Sequence, residues 1–323
     1  MNDRPRVVVT RRLPKPVEDE LSRLFDARLN TDDRALTTEE LREAVATADA
    51  LLPTVTDKIS AEVLGAGPRR VRIVANFGVG YNNIDVEAAK AAGIAVTNTP
   101  GALTDCTADL AMTLLLSAAR RAGEGERHLR EGSWTGWRPT HMLGTKVTGK
   151  TLGIIGLGRI GRAVARRAHH GFGMKILYYN RTPVPADQIE DLDAELCTLE
   201  QLLARSDFVS LHCPSTPDTR HLLNAETLAL MKPGAFLINS ARGDVVDESA
   251  LVDALKSGTI AGAGLDVYDG EPAVRPELAT MENVVLLPHL GSATTETRVA
   301  MGMRAVANLK AFFNGDPPPD RVA

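Results

Sequence analysis

An apolar run, Thr151-Leu-Gly-Ile-Ile155, passes directly into Gly156-Leu-Gly158-Arg-Ile-Gly161 and then into a stretch of helical pattern, Arg162–His170. Strand, then G-x-G-x-x-G, then helix is the context in which a glycine triplet cradles a dinucleotide rather than merely turning the chain. Gly156 permits the tight turn, Gly158 lets backbone approach a pyrophosphate, and Gly161 lets the helix pack closely on the strand. The N–H groups of Arg159 and Ile160 then direct partial positive charge at the phosphates. The bland alternative is a glycine-rich turn of any α/β protein, and the flanking strand and helix argue against it.

The rest of the chain is of the kind such a loop needs. With 323 residues, 44% hydrophobic and 24% charged, it can fill a core, and a prior of roughly 150 residues per domain suggests two domains. A net charge of −4 offers no global attraction for nucleic acid or an anionic membrane. The longest apolar stretch, Leu110–Ala119, is far below the about 20 residues a membrane span needs. The first residues, Met1 to Arg6, lead straight into Val7-Val8-Val9 with no apolar region of signal-peptide length. Cys106, Cys197 and Cys213 are odd in number and form no C-x-x-C pair. They fit reduced thiols, and the expected location is cytoplasmic.

Short β-branched runs alternate with amphipathic segments throughout. Strands are expected at Arg6–Thr10, Ala50–Thr54, Val71–Asn76 and Ile94–Thr99, with helices at Val17–Phe25 and Thr38–Ala48, the latter opened by Thr37 or Thr38 with Glu40 as capping acid. A long helix is expected from Thr104 to about Arg121. The polar stretch Glu124–Lys146 follows and holds both tryptophans, Trp134 and Trp137. Exposed tryptophan there points to an interface anchor, with a self-packed loop as the alternative. Further strands are expected at Thr151–Ile155, Lys175–Tyr179, Phe208–His212, Ala235–Asn239, Ile260–Leu265 and Val284–Leu287, a helix at Asp247–Ser257, and a last helix near Thr294–Phe313. Strands spaced by helices of this length make βαβ units and parallel sheets.

Which dinucleotide binds depends on the end of the strand after the glycine loop, where an acid about 20 residues on normally holds the ribose 2′-hydroxyl. Tyr179-Asn180-Arg181-Thr182 stands there instead, with no acid. A guanidinium suits a 2′-phosphate, so NADP is expected, with NAD beside a solvated Arg181 as the alternative. Three further segments place polar side chains just after apolar strands: Asn239-Ser-Ala-Arg242-Gly243-Asp244, Leu265-Asp266-Val-Tyr-Asp-Gly-Glu271-Pro272, and Leu287-Pro288-His289-Leu-Gly291-Ser-Ala-Thr294. Ligands bind outside the carboxyl ends of parallel strands, so these residues should converge on the glycine loop. Together Arg, Glu and His suit reduction of a 2-oxo acid. A fork of N–H donors binds the carboxylate and polarises the carbonyl, and a carboxylate keeps an imidazole protonated to deliver a proton.

In this order, these motifs resemble the D-isomer-specific 2-hydroxyacid dehydrogenase family, and within it the glyoxylate/hydroxypyruvate reductases. The likeness runs from Thr10-Arg11-Arg12-Leu13-Pro14 through Asn76-Phe-Gly-Val79-Gly80-Tyr-Asn-Asn-Ile-Asp85 to Gly291-Ser-Ala-Thr294. It implies an α/β fold of two doubly wound parallel-sheet domains. A flavodoxin-like substrate domain would take residues 1–100 and 290–323, and a Rossmann cofactor domain residues 101–289, with a dimerisation arm at about 104–146. By the same resemblance Arg242 binds and polarises the substrate, Glu271 pairs with His289, and His289 is the acid–base. The Val79 and Gly80 amides hold the substrate carboxylate as an anion nest, Leu52 borders the pocket, and a homodimer partner supplies Trp137 rather than Trp134. Besides the glycine loop, the implied cofactor contacts are Thr107, Asn180, Arg181, Thr182, His212, Cys213, Pro214, Thr219, Ala241, Asp266, His289 and Gly291.

Each residue has a plainer role to set against this: an ion-pair arginine for Arg242, a turn for Glu271, a satisfied core histidine for His289. Convergence in one cleft is what favours the chemical reading. His169 and His170 are adjacent and diverge by about 100° on a helix, so they do not easily share a metal, and they are expected at the surface or its boundary. Absence of H-E-x-x-H or a cysteine–histidine cluster makes a metal site improbable, and no G-x-S-x-G nucleophile is present. Leu51, Leu52, Val79, Trp134, Trp137 and Met142 are candidates for a small apolar pocket. The same scaffold serves phosphoglycerate, D-lactate, phosphite and formate dehydrogenases, and it is similar to dinucleotide-sensing corepressors; these are the alternatives in function.

Overall fold

The computed structural model describes residues 4–65, 67 and 69–323; the start of the reading on the N-terminal leader, residues 1–3, lies outside the described residues. The chain divides into two compact units, Met1–Leu103 with Ala293–Ala323, and Thr104–Ser292.

In the first unit, β1 (Arg6–Val9), α1 (Lys15–Leu24), β2 (Asp26–Arg28), α2 (Thr38–Thr47), β3 (Ala50–Leu52), α3 (Ala61–Gly65), β4 (Ile73–Ala75), α4 (Val86–Ala91) and β5 (Ala95–Thr97) follow in order. The five strands are all parallel, in the order β2-β1-β3-β4-β5, the flavodoxin-like arrangement. A parallel sheet is covered on both faces, which is why its strands are continuous apolar runs. Val7, Val9 and Leu52 pack on one side with Leu21 and Leu309, while Val8, Leu51 and Val74 pack on the other with Leu41 and Leu64. Thr37 caps α2 in a reciprocal box with Glu40, as the sequence pattern predicts.

The second unit runs α5 (Thr104–Ala119), α6 (Ala122–Arg130), β6 (Thr151–Ile155), α7 (Arg159–Phe172), β7 (Lys175–Tyr179), β8 (Glu195–Leu196), α8 (Leu199–Arg205), β9 (Phe208–Leu211), α9 (Ala225–Leu228), β10 (Phe236–Asn239), α10 (Glu248–Lys256), β11 (Gly262–Leu265), α11 (Pro276–Ala279) and β12 (Val284–Leu286). Its seven parallel strands are ordered β12-β11-β10-β9-β6-β7-β8, a doubly wound sheet whose strand order reverses between β6 and β9. Finally α12 (Thr295–Asn314) belongs to the first unit, where it packs Met301, Ala305 and Leu309 against Val17 and Leu21.

Several elements differ from the sequence reading. The arm at Glu124–Lys146 is not wholly irregular, because α6 occupies its first turns. Helix α7 begins at Arg159, immediately after Gly158. Pairing alone defines β2 and β8: Asp-Ala-Arg and Glu-Leu are edge pieces with no apolar alternation to announce them. Instead of trailing away, the segment after the Pro317-Pro318-Pro319 run pairs with β5. Val322 donates to the Val96 carbonyl at 2.7 Å, and buried Asp320 is held by Arg304 and Asn308.

Candidate active site

At the switch point between β6 and β9 stands the glycine loop. Gly156 has φ +96°, and a Cβ there would lie 2.6 Å from the Cys213 nitrogen and 2.8 Å from the His212 carbonyl carbon, so the loop rests on the backbone leaving β9. At Gly161 a Cβ would meet the Gly156 oxygen at 2.3 Å, the close helix–strand approach that the third glycine exists to allow. Gly158 is different: nothing lies within 4 Å of a Cβ built there. It caps α7 without a side-chain hydrogen bond, so the first N–H groups of the helix face that open space. A pyrophosphate fits such a place.

The residues around the loop divide into those that face outward and those already engaged. Exposed Arg159 and Arg181 enter no ion pair among the described residues, and Thr182 beside them is exposed too. Asn180 uses its side-chain oxygen to accept the Leu157 N–H at 2.6 Å, so it braces the glycine loop. Thr219 ties its own loop together, donating to the Pro214 carbonyl at 2.7 Å and accepting the Thr216 N–H. The Nε2 of His212 lies 2.8 Å from the Ser210 hydroxyl, and burial pushes its pKa down to about 4, so this imidazole stays neutral. Burial likewise pushes the Cys213 thiol up to about 11, far from a nucleophilic thiolate.

The ends of β10, β11 and β12 carry the other groups. Asn239 accepts the Ala241 N–H and donates to the Arg242 carbonyl, which shapes the turn bearing the guanidinium. Arg242 donates only to the neighbouring Ala241 carbonyl and has no ion-pair partner among the described residues. Desolvation lowers its pKa, against the pull of Glu271 and Asp244. His289 Nδ1 lies 2.8 Å from Glu271 Oε2, which leaves Nε2 for a substrate. Burial raises the Glu271 pKa, but the His289 bond and charge, the Tyr268 N–H and Arg242 outweigh it, and the net shift is downward. The carboxylate is therefore ionised where it meets the ring.

Asp266, one of the implied cofactor contacts, is engaged with backbone. Its two oxygens accept the N–H groups of Leu290 (2.7 Å) and Gly291 (2.9 Å), and its carbonyl accepts that of His289 (3.0 Å). It holds the turn on which His289 sits. Thr107 joins the same arrangement, donating to the Gly291 carbonyl at 2.8 Å. Sequence reasoning had no signal for these backbone partners, because a carboxylate after a strand looks the same whether it meets a ligand or a turn.

In the first unit, Asn76 and Asn98 donate to the carbonyls of Gly80 and Val79, both at 2.8 Å. With those carbonyls tied back, the N–H groups of Val79 and Gly80 make no backbone hydrogen bond among the described residues. Leu51 and Leu52, read from the sequence as pocket candidates, are both fully buried, on opposite faces of the sheet. Alternation along a strand sends successive side chains to opposite faces, and here both faces are core. Trp137 is 82% exposed and Trp134 52%. His169 and His170 are at the surface as expected, yet their rings meet at 5.0 Å instead of diverging, with His170 beside Asp191. Among the described residues no group of three potential metal ligands exists.

The profile of the D-isomer specific 2-hydroxyacid dehydrogenase NAD binding domain matches residues 112–291. The glyoxylate reductase of Thermococcus litoralis is 49% identical over 323 residues, covering 99% of this chain and 97% of that one. That of Korarchaeum cryptofilum is 50% identical over 322 residues, covering 99% and 96%. Among solved structures, the NADPH-dependent glyoxylate/hydroxypyruvate reductase of Sinorhizobium meliloti, in complex with NADP and malonate, superposes with a TM-score of 0.87 at 40% identity, covering 99% of this chain and 97% of that one. An NAD-binding 2-hydroxyacid dehydrogenase of Polaromonas gives 0.91 at 40% identity, covering 99% of both chains. With its glycine loop, its Arg-Glu-His set and these relatives over nearly its whole length, the chain belongs to the D-isomer-specific 2-hydroxyacid dehydrogenases, a family of NAD(P)-dependent oxidoreductases.

Proposed function

We propose that this protein reduces a small 2-oxo acid, glyoxylate or hydroxypyruvate, to the corresponding 2-hydroxy acid, with NADPH preferred to NADH. The observation that carries the reading is the 2.8 Å contact between His289 and Glu271, in the same unit as an Arg242 guanidinium with no ion-pair partner among the described residues. Relatives named glyoxylate reductase, about half identical over the whole chain, support the substrate class.

The nicotinamide supplies the hydride. Arg242 binds the substrate carboxylate and draws electron density from the carbonyl, a task suited to a planar guanidinium that no acid of its own neutralises. His289 gives the proton on Nε2 to the carbonyl oxygen as it gains charge, and ionised Glu271 on Nδ1 fixes the ring. The Val79 and Gly80 amides serve as the first unit's carboxylate cradle, with Asn76 and Asn98 setting their direction. Arg181 and Thr182, in place of an acid, select the 2′-phosphate. The arm after α5 leaves Leu129, Trp134, Trp137 and Leu143 exposed, a concentration of apolar surface that supports a homodimer with Trp137 reaching the partner. Three cysteines, odd in number and in no C-x-x-C pair, fit a cytoplasmic setting.

Loss of absorbance of the reduced nicotinamide on adding glyoxylate or hydroxypyruvate tests this directly, run with both cofactors. Oxidation with NADPH at higher kcat/KM than with NADH is expected, and Arg181→Ala should erase that preference. No oxidation across a panel of 2-oxo acids would shift the reading to a dinucleotide-binding protein without turnover.

A further inference from the structure

We propose that Glu248, a buried carboxylate at the start of α10, is a positioning residue for the proton-donating pair, holding the Tyr268–Asp269 peptide next to the Val267–Tyr268 peptide that sets Glu271 against His289. Glu248 lies outside every motif of the site, and its side chain is 7% exposed. Its Oε1 accepts the Asp269 N–H at 2.8 Å. One residue earlier, the Tyr268 N–H donates to Glu271 Oε1 at 3.0 Å, and the other oxygen of that carboxylate meets His289 Nδ1 at 2.8 Å. Glu248 thus acts on His289 through two successive peptides, joined at Tyr268, and one carboxylate.

The same peptide is pressed from its other neighbour, the turn bearing Arg242. A Cβ on Gly243 would stand 1.9 Å from the Tyr268 carbonyl carbon, 2.2 Å from its oxygen and 2.3 Å from the Asp269 nitrogen. Backbone therefore lies directly on backbone, and the peptide cannot move towards Arg242. Glu248 prevents it from moving away. The Tyr268 hydroxyl adds a third constraint by donating at 2.8 Å to the Leu287 carbonyl, two residues before His289. The charged and titratable groups around Glu248 are Arg275, which precedes α11, with Nε at 3.5 Å, and Asp269 and Glu271 from the loop after β11. Arg242, Tyr268 and His289 face Glu271. Burial raises the Glu248 pKa, against the Asp269 N–H and Arg275. Keeping a carboxylate in such a place is costly unless it holds something.

The test compares Glu248→Ala with Glu248→Gln in the full-length protein, reading the pH profile of reduction, kcat and cofactor affinity separately. Glu248→Ala frees the peptide, so kcat should fall roughly 10- to 100-fold, the cost of a slight misplacement of a reacting group. With Glu271 displaced, the alkaline limb of the profile should move to lower pH, while NADPH affinity is unchanged. Glu248→Gln still offers an oxygen to the Asp269 N–H and should keep kcat within about threefold and the limb in place. Should the alanine variant fail to fold, Glu248→Asp, one methylene too short to reach that N–H, should show the same shift. An unmoved limb in the shortened variants, or equal loss in the glutamine variant, overturns the assignment. It rests on His289 as proton donor: a wild-type protein that turns over no 2-oxo acid defeats both, whereas turnover with an unmoved limb defeats the role of Glu248 alone.

Discussion

His289 occupies the left-handed region of backbone space, with φ +53°, which an L-residue holds only where its surroundings over-determine it. Asp266 supplies that constraint by taking two successive N–H groups of the turn, and Glu271 fixes the ring. The side chain is thus held before any substrate arrives. Replacing His289 with Ala should lower kcat by about 10²- to 10⁴-fold, the usual worth of a general acid, with NADPH affinity measured by fluorescence unchanged. Wild-type turnover in that variant would remove the proton-donor role. The pair also has a sign in pH. Glu271 is depressed below its ordinary 4.5, so its contribution to stability is complete above that value and is lost as pH falls through the depressed one. The gap in Tm between wild type and Glu271→Gln should therefore close in acid; a gap that widens there contradicts the direction of the shift.

Strand β6, its glycine loop and helix α7 were legible together because three levels of signal agree in consecutive segments from Thr151 to His170: an apolar run, glycines at fixed offsets and a helical pattern. The three glycines nonetheless do different things, which predicts different variants. Gly158→Ala puts a methyl group into open space, so Tm should hold while the Kd for NADPH rises at least about tenfold, or 1.4 kcal/mol. Gly161→Ala drives a methyl group onto the Gly156 carbonyl and should lower Tm as well. Equal effects of the two on Tm would contradict this division. Elements without such agreement were not legible. Helix α6 follows α5 after Arg121 in a left-handed conformation, and its run of charges leaves no buried face to give a period. The packing of Leu52 was not legible for a related reason, since a residue in a three-residue strand carries no sign of which neighbour covers it.

At the scale of the whole molecule, a chain of this composition closes two parallel sheets and still leaves one segment unpartnered. Trp137 at 82%, Leu143 at 66% and Leu129 at 60% exposure lie within fifteen residues, while the sheets bury nearly all their apolar side chains. Association through this arm predicts a dimer in analytical ultracentrifugation, and Trp137→Asp should shift the equilibrium towards monomer without changing far-UV circular dichroism. A wild-type protein sedimenting as monomer at micromolar concentration would contradict it. No helix among the described residues is long and apolar enough to cross a membrane.

By itself the sequence determined most of the element types and the strand–glycine-loop–helix run, and it singled out Arg242, Glu271 and His289 as candidates, because periodicity, glycine spacing and side-chain chemistry are local properties. Only the tertiary structure decided what each polar group already holds. Asp266 grips the His289 turn, Asn180 the glycine loop, Thr107 the Gly291 carbonyl and Glu248 the Asp269 amide. Those partners are backbone atoms 21 to 184 residues away along the chain. Every residue carries the same amide and carbonyl, so no residue type can announce which of them will be met.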